Sequence, residues 1–90
     1  MKVNWDDMRT VLALVRAGTL AGAAEDLGVS YTTVARRVQR AETMLGQVLF
    51  ERHPDGYLPT SAAQDMAVTA GRMEEQEHQL LRQMAGQDQK

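Results

Sequence analysis

Three glycines, each at the end of a segment with helical apolar spacing, constrain the fold of this chain more than any other feature. Glycine is the residue that most often ends a helix, and the three are Gly18, Gly28 and Gly46. Each segment is preceded by a side chain that can accept a hydrogen bond from a free helix amide: Asn4, Thr19 and Ser30. The pattern therefore predicts three helices, over about residues 5–17, 20–27 and 31–45.

The second and third predicted helices are separated by a turn of only three residues, Gly28-Val29-Ser30. Two helices joined by so short a turn fit the helix-turn-helix pattern, although many helical hairpins share it. After Gly46 the spacing changes, because Val48-Leu49-Phe50 is β-prone, His53-Pro54-Asp55-Gly56 has the composition of a turn, and Tyr57-Leu58 can return as a second strand. We therefore expect a β-hairpin after the three helices.

A long helix is predicted to follow the hairpin. Thr60 or Ser61 can cap it, with Gln64 placed to complete a capping box from Ser61, and the helix can run to about Ala85. The fold expected is mostly α: a winged helix-turn-helix with three helices and a short β-hairpin wing, followed by a long dimerisation helix. We divide the chain into a winged helix-turn-helix domain over residues 1–59 and a linker helix with a short tail over residues 60–90.

The composition excludes several kinds of site. The chain has no cysteine, so disulfides and thiolate metal sites are excluded, and His53 has no second His or Cys nearby to share a metal ion. We expect neither a metal nor a cofactor. We also expect no enzyme, because no Gly-rich phosphate loop occurs and neither His53 nor His78 is joined to a plausible nucleophile.

Hydropathy predicts where the protein is found and how its core is built. No run of about 18 apolar residues occurs, and the first residues, one cation followed by acids, do not form a secretory signal. We expect a cytoplasmic protein without a membrane partner. Only four residues are aromatic, so Ala, Leu, Val and Met must fill the core, which suits helices better than strands.

Charge is distributed unevenly along the chain. Averaged over the whole chain, the net charge of −2 argues against nucleic-acid binding. The stretch from Ser30 to Arg40, however, holds three arginines and no acid. Most acids lie elsewhere, at Asp6-Asp7, at Glu25-Asp26, and at Glu74, Glu75 and Glu77. Because a duplex responds to the potential within a Debye length of about 8–10 Å, the third predicted helix forms a weakly basic patch on an acidic protein.

The third predicted helix has an apolar stripe and an opposite polar face. At about 100° per residue, the stripe consists of Val34, Val38, Ala41 and Leu45. The opposite face carries Thr32, Arg36, Gln39 and Arg40, with Thr33 at its edge. Arginine can bond to O6 and N7 of guanine, and threonine offers a methyl and a hydroxyl group. An ordinary solvated helix face would look similar, and the hairpin with Arg52 and His53 favours DNA over it.

Several short motifs follow one another in a fixed order: Gly18-Thr19-Leu20, Ala23-Ala24, Leu27, Val29-Ser30, then Glu42, Leu45-Gly46 and Leu49-Phe50-Glu51-Arg52. In this order, over residues 4 to about 85, they resemble the LysR-type transcriptional regulators. The last three motifs are the most specific, because they form one long ordered run. The resemblance implies a dimeric winged helix-turn-helix that binds specific sites in duplex DNA. The family also has a larger effector-binding domain, which is absent here, so we expect a fragment.

The resemblance also implies roles for individual residues. Base contacts in the major groove are expected along the recognition helix, residues 31–45, from Tyr31, Thr32, Thr33, Ala35 and Arg36. Backbone contacts are expected from Thr19, Ser30 and Arg52, and the polar face and the hairpin add Gln39, Arg40 and His53. Tyr31-Thr32 and Ala35 depart from the family's usual residues, which predicts an unusual base preference. Ala41 replaces a larger core residue, and we expect Met44 to fill the space.

The last predicted helix carries a stripe with alternating steps of four and three residues, which is typical of a coiled-coil seam. Its apolar members are predicted to form a homodimer contact: Met66, Ala70, Met73, Leu80 and Met84. Glu77 also falls in the seam, where a charge is unfavourable. The alternative is that the stripe packs on the chain's own helices, but the length of the helix argues against this for its distal half.

Two alternative functions remain open. The acidic charge balance is compatible with a protein-interaction module whose winged helix does not bind DNA. Among DNA-binding proteins, a different winged-helix family such as the MarR type is the second candidate.

Overall fold

The computed structural model describes residues 2–87, which form four helices and one two-stranded sheet. In chain order these are α1 (Trp5–Ala17), α2 (Leu20–Leu27), α3 (Tyr31–Leu45), β1 (Phe50–His53), β2 (Gly56–Pro59) and α4 (Ser61–Gln87). The two strands are antiparallel, with Phe50 opposite Pro59 and His53 opposite Gly56. The predicted fold class and order of elements are confirmed.

The first three helices begin and end where the caps predict. The side chains of Asn4, Thr19 and Ser30 accept hydrogen bonds from the backbone N–H groups of Asp7, Gly22 and Thr33, at 2.9, 3.0 and 3.2 Å. Each helix is followed by a glycine in the left-handed conformation. Local capping chemistry therefore sets these helix limits, because it satisfies backbone groups that a helix leaves without partners.

The hairpin and the start of α4 differ in detail from the prediction. In the β-prone run from Val48, strand pairing begins only at Phe50. Of the two residues before it, Val48 is 62% exposed and Leu49 is fully buried. Thr60 is the cap of α4: its Oγ1 accepts from the N–H of Ala63 at 3.4 Å and donates to the carbonyl oxygen of Val48 at 2.8 Å. The capping box predicted from Ser61 is wrong, because Ser61 is already the first helical residue.

The core forms around α1, which packs against α2, α3, α4 and β2. Its largest fully buried apolar side chains are Val11, Leu14, Val34 and Leu49. The predicted stripe of α3 is confirmed, with Val34, Val38 and Ala41 buried and Leu45 packed against them. The prediction that Met44 fills the space beside Ala41 is wrong: Met44 is 44% exposed, and the core closes over Ala41 without it.

The helix α4 is much longer than the helix on which it packs. At about 1.5 Å per residue, its 27 residues span about 40 Å, against about 20 Å for the 13 residues of α1. Ala63 and Ala70 are fully buried, whereas every described side chain from Glu75 to Gly86 is exposed. The described residues extend over 52 × 28 × 18 Å because the end of α4 projects beyond the domain.

Candidate nucleic-acid interface

The turn between α2 and α3 fixes the orientation of α3. The N–H groups of Gly28 and Val29 both donate to the carbonyl oxygen of Ala24, at 2.8 and 3.1 Å, which closes the end of α2. Gly28 has φ +71°, a conformation that residues with a Cβ rarely adopt. Ser30 then begins α3 at once. The turn is therefore rigid, and it presents α3 with one long face away from the core.

The outward face of α3 carries the polar residues that the sequence predicts there. Tyr31, Thr32, Arg36, Gln39 and Arg40 are exposed, and Thr33 and Ala35 are half-buried. We call these seven residues the recognition face. Among the described residues, no carboxylate forms an ion pair or hydrogen bond with the Arg36 guanidinium. Arg36 is therefore open to an incoming partner.

Arg40 differs from Arg36 although it lies one turn away on the same face. Its Nε donates to Oδ2 of Asp7 at 3.0 Å, and its Nη2 donates to Oδ1 of the same carboxylate. The hydrogen bond to Asp7 and the charge of that carboxylate raise the pKa of the Arg40 guanidinium above its ordinary value. Two of its donors are thus used within the domain, which changes the role that the sequence predicts for Arg40.

Thr19 and Ser30, the predicted phosphate contacts, are both helix caps. Ser30 Oγ also lies 3.0 Å from Thr33 Oγ1, so these two hydroxyl groups share one hydrogen bond. A cap leaves the first free amides of its helix pointing outward, and such amides can bind a phosphate. The geometry of both helix starts is compatible with the predicted backbone contacts, which stay predictions.

The hairpin β1–β2, the wing, is attached to the helices on two sides. On one side, Oε2 of Glu42 accepts from the N–H groups of Leu49 and Phe50, at 2.8 and 3.4 Å. On the other, the N–H of Tyr57 donates to the carbonyl oxygen of Gly18 at 2.8 Å. The wing is therefore held beside α3, and a shallow cleft lined by Ala35, Gln39, Arg52 and Tyr57 lies between them.

Gly56 and Glu42 position the wing, a role that the sequence alone does not predict for either residue. A Cβ on Gly56 would lie 2.4 Å from the carbonyl oxygen of Gly18, so no other residue fits there without a backbone shift. The sequence does draw attention to Glu42, because an acid lies there close to the buried side of α3. It also belongs to the most specific run of the family resemblance. Its actual partners, two amides of the next element, depend on the tertiary structure.

Both predicted wing residues are exposed. The guanidinium carbon of Arg52 lies 5.7 Å from the centroid of the Tyr57 ring, which orients the side chain while leaving its N–H groups accessible. Nε2 of His53 lies 3.8 Å from Oε2 of Glu51, a long contact between exposed side chains. Arg52 is therefore better placed than His53 to contact a phosphate, because no acid neutralises it among the described residues.

The predicted dimerisation stripe on α4 is divided between two environments. Ala70 is fully buried inside its own domain and Met66 packs against the same core, so the prediction that Ala70 contacts a second copy is wrong. The core reaches this far because α1 lies against the first half of α4. Met73, Leu80 and Met84 are exposed, at 40%, 54% and 53%, and so is Leu81, which the stripe missed.

Glu77 also has a role that its place in the stripe does not predict. Its Oε2 accepts a hydrogen bond from Nε1 of Trp5 at 3.4 Å, and the neighbouring Glu74 pairs with Arg16 at 3.0 Å. Both contacts join α4 to α1. The charge at position 77 is therefore explained by a partner in the same chain, Trp5 on α1.

Residues 2–87 contain neither an arranged metal-binding cluster nor a helix that could span a membrane. No group of three or more His, Asp or Glu side chains is arranged to hold a metal ion. In the same range, no helix combines the length and the apolarity that crossing a bilayer requires.

The chain is similar to known proteins over almost its whole length. Residues 5–64 match the bacterial regulatory helix-turn-helix proteins of the LysR family. The Mau operon transcriptional activator of Paracoccus denitrificans is 36% identical over 86 residues, which cover 96% of this chain and 30% of that protein. The domains predicted at residues 1–59 and 60–90 stay a prediction, and the matched region continues past residue 60 into α4.

Solved structures show the same arrangement of elements. The full-length LysR-type regulator LysG from Corynebacterium glutamicum is similar with a TM-score of 0.84 at 26% identity, over 96% of this chain and 30% of that one. The DNA-binding domain of CbnR in complex with DNA has a TM-score of 0.78 at 28% identity, over 96% of this chain and 99% of that one. This chain spans about 30% of the length of the full-length relatives it matches.

Proposed function

The chain belongs to the LysR family of bacterial regulatory helix-turn-helix proteins, and from that premise we propose that it binds specific sites in duplex DNA as a homodimer. In this proposal α3 enters the major groove, the wing contacts the flanking backbone, and the result is regulation of transcription. The relatives are regulators, so we propose DNA binding and not catalysis as the activity. Because the proposed target is DNA, we also propose that the protein acts in the bacterial cytoplasm.

The observation that carries the proposal is the state of Arg36. Its guanidinium is exposed on a face without acids, and no described carboxylate neutralises it. Hydrogen bonds from an arginine side chain to O6 and N7 of guanine are the commonest specific base contact in the major groove. The domain of CbnR, with the same fold, has been solved on DNA. We therefore assign base readout to Arg36 first, with Tyr31, Thr32, Thr33 and Ala35 beside it.

The wing and the helix starts supply the positioning contacts. Arg52 is held over Tyr57 with its donors free, and the wing is fixed on both sides by Glu42 and Gly18. Contacts with phosphate set the register of a protein on the duplex but do not read its sequence. We assign this role to Arg52, to the amides at the starts of α2 and α3, and, more weakly, to His53 and Gln39.

The end of α4 supports the proposed dimer. Met73, Leu80, Leu81 and Met84 leave an apolar surface on a helix that projects beyond its own core. Pairing with a second copy would cover this surface, and a two-fold dimer would present two copies of α3 to half-sites about 34 Å apart or a multiple of it.

Replacing Arg36 tests the proposal. A duplex that binds the protein is first selected from a random DNA pool, and binding is then measured by fluorescence anisotropy on that duplex and on an unselected one. We expect Arg36→Ala to weaken binding to the selected duplex by about 1–3 kcal/mol, or roughly 5- to 150-fold, and to weaken binding to the unselected duplex much less. Arg72→Ala on α4 is the matched control, and it should change neither affinity.

Two outcomes would contradict the proposal. An equal loss on both duplexes would place Arg36 on a phosphate and remove the assigned base contact. No binding of the wild-type protein to any duplex, at micromolar protein and low salt, would favour the alternative of a protein-interaction module that does not bind DNA.

A further inference from the structure

The ion pair between α1 and α3 is built asymmetrically. The carboxylate of Asp7 is buried, with a side-chain exposure of 3%, whereas the side chain of Arg40 is 48% exposed. Arginine meets the carboxylate with two parallel hydrogen bonds, from Nε and Nη2, which is the geometry that fixes both side chains most firmly. The pair joins the first turn of α1 to the middle of α3, 33 residues apart in sequence.

Burial of the carboxylate decides how strongly Arg40 is held. Within the described residues, Arg40 provides the only hydrogen bonds to the Asp7 carboxylate oxygens. If Arg40 moved to a DNA phosphate, it would leave a charged group buried without a partner, and such a group is strongly destabilising. A phosphate in a solvated groove offers an exposed contact in return, which is worth less. The domain therefore keeps Arg40.

We infer that Asp7 withholds Arg40 from DNA, so that Arg40 is a positioning residue of α3 and not a backbone contact. The inference rests on the proposed DNA-binding function and revises the role that the sequence predicts for Arg40. Arg36 and Arg40 lie one turn apart on the same exposed face, but only Arg36 is free for the duplex. Asp7 thereby removes one cation from the sequence-independent attraction to phosphate and favours binding that depends on base contacts.

The salt dependence of DNA binding measures how many phosphates are neutralised. The logarithm of the binding constant falls with the logarithm of salt concentration by about 0.9 for each phosphate contact. We expect Asp7→Asn, which keeps the shape of the side chain but removes its charge, to raise affinity for an unselected duplex severalfold at low salt. It should also steepen the salt slope by about 0.9, because the released Arg40 reaches a phosphate.

A control is needed because any lost acid raises affinity for DNA. Asp6→Asn removes the same charge from the neighbouring, exposed position, where the carboxylate lies 3.7 Å from Arg9 and does not bond to Arg40. It should change the slope by clearly less than Asp7→Asn. In the double variant Asp7→Asn with Arg40→Gln, the slope should return to the wild-type value. Circular dichroism checks that each variant is folded.

The double variant of Asp7→Asn with Arg40→Gln, which leaves no charge buried without a partner, keeps the inference testable if a single variant does not fold. We expect its salt slope, and that of Arg40→Gln alone, to equal that of the wild type, since the wild-type Arg40 makes no phosphate contact. A slope shallower by about 0.9 in either variant would overturn the inference, and so would equal slopes for Asp7→Asn and Asp6→Asn.

Urea unfolding separates this inference from the proposed function, because it needs no DNA. The effects of Asp7→Asn and Arg40→Gln on the free energy of unfolding should be non-additive, with the double variant no less stable than Arg40→Gln. Additive effects would overturn the positioning role. If the effects are non-additive but neither wild type nor Asp7→Asn binds any duplex, the proposed function fails, the withholding from DNA fails with it, and the positioning role alone stands.

Discussion

The first and last parts of α4 carry the same apolar spacing but lie in opposite surroundings. In the proximal segment, residues 61–70, Ala63 and Ala70 are fully buried against the domain. In the distal segment, residues 78–87, Leu80 and Met84 are more than half exposed. The reason is length, because α4 is about twice as long as α1 and projects past its end. One continuous apolar stripe can therefore be buried against its own domain in its first part and exposed in its second. Only the position of α1 shows where the buried part ends.

The residue types of the two segments fit this division. The proximal segment contributes alanine to the core, which lets α4 approach α1 closely, whereas the exposed stripe of the distal segment uses the larger side chains of leucine and methionine. Between them, Glu74 and Glu77 contact Arg16 and Trp5 on α1. These contacts hold the direction in which α4 leaves the domain, and the proposed dimer depends on that direction.

The largest effect is expected in the proximal segment. Ala70→Asp would bury a charge without a partner, and we expect it to lower the free energy of unfolding by at least about 3 kcal/mol. Val68→Asp is the matched control, because Val68 is 58% exposed on the other side of the same helix. It should change stability by no more than about 0.5 kcal/mol. Urea unfolding followed by circular dichroism, at equal protein concentrations, measures both, and similar losses would contradict the division.

A smaller effect on a different property is expected in the distal segment. Leu80→Ala should raise the dissociation constant of the dimer about a hundredfold, or about 3 kcal/mol, because each dimer loses two buried leucine side chains. Gln79→Ala, on the opposite face, should leave the dissociation constant unchanged. Sedimentation equilibrium measures both variants. A dimer unaffected by Leu80→Ala would mean that the exposed stripe is not the contact.

The smallest effect is expected at the junction between the segments. Glu74→Gln removes the ion pair with Arg16, and we expect it to lower the free energy of unfolding by about 0.2–1 kcal/mol, the range for partly exposed pairs. Glu75→Gln, which breaks the exposed pair with Arg82 within α4, is the control and should change less. A loss well above 1 kcal/mol for Glu74→Gln would show that the junction, and not the buried alanines, holds α4 on the domain.

The sequence predicts what depends on neighbouring residues. Caps such as Asn4 and Ser30 and the glycine after each helix act within one turn, so the limits of α1, α2 and α3 could be stated from the chain alone. The outward face of α3 could be stated as well, because Val34 and Val38 fix which side is buried. The order of elements and the family resemblance follow from the same local signals.

The sequence does not predict what depends on distant partners. Asp7 and Arg40 are 33 residues apart, and nothing local distinguishes Arg40 from Arg36. Ala70 and Leu80 lie on one helical stripe. Ala70 is buried and Leu80 is exposed because α1 covers only the first part of α4. The sequence predicts that Met44 compensates for Ala41, but Ala41 is fully buried while Met44 is 44% exposed. The wrong predictions for Arg40, Ala70 and Met44 all concern which residues a side chain contacts in the folded domain. None concerns the helix or strand to which the residue belongs.

The most direct test of the central claim is a map of the DNA-binding surface by backbone amide NMR. Isotope-labelled protein is titrated with a duplex selected from a random pool. The account predicts the largest shift changes at the start of α3, residues 30–36, and in the wing, residues 52–57, with none in residues 78–86 of the distal segment. Changes confined to the distal segment, with residues 30–36 unaffected, would contradict it.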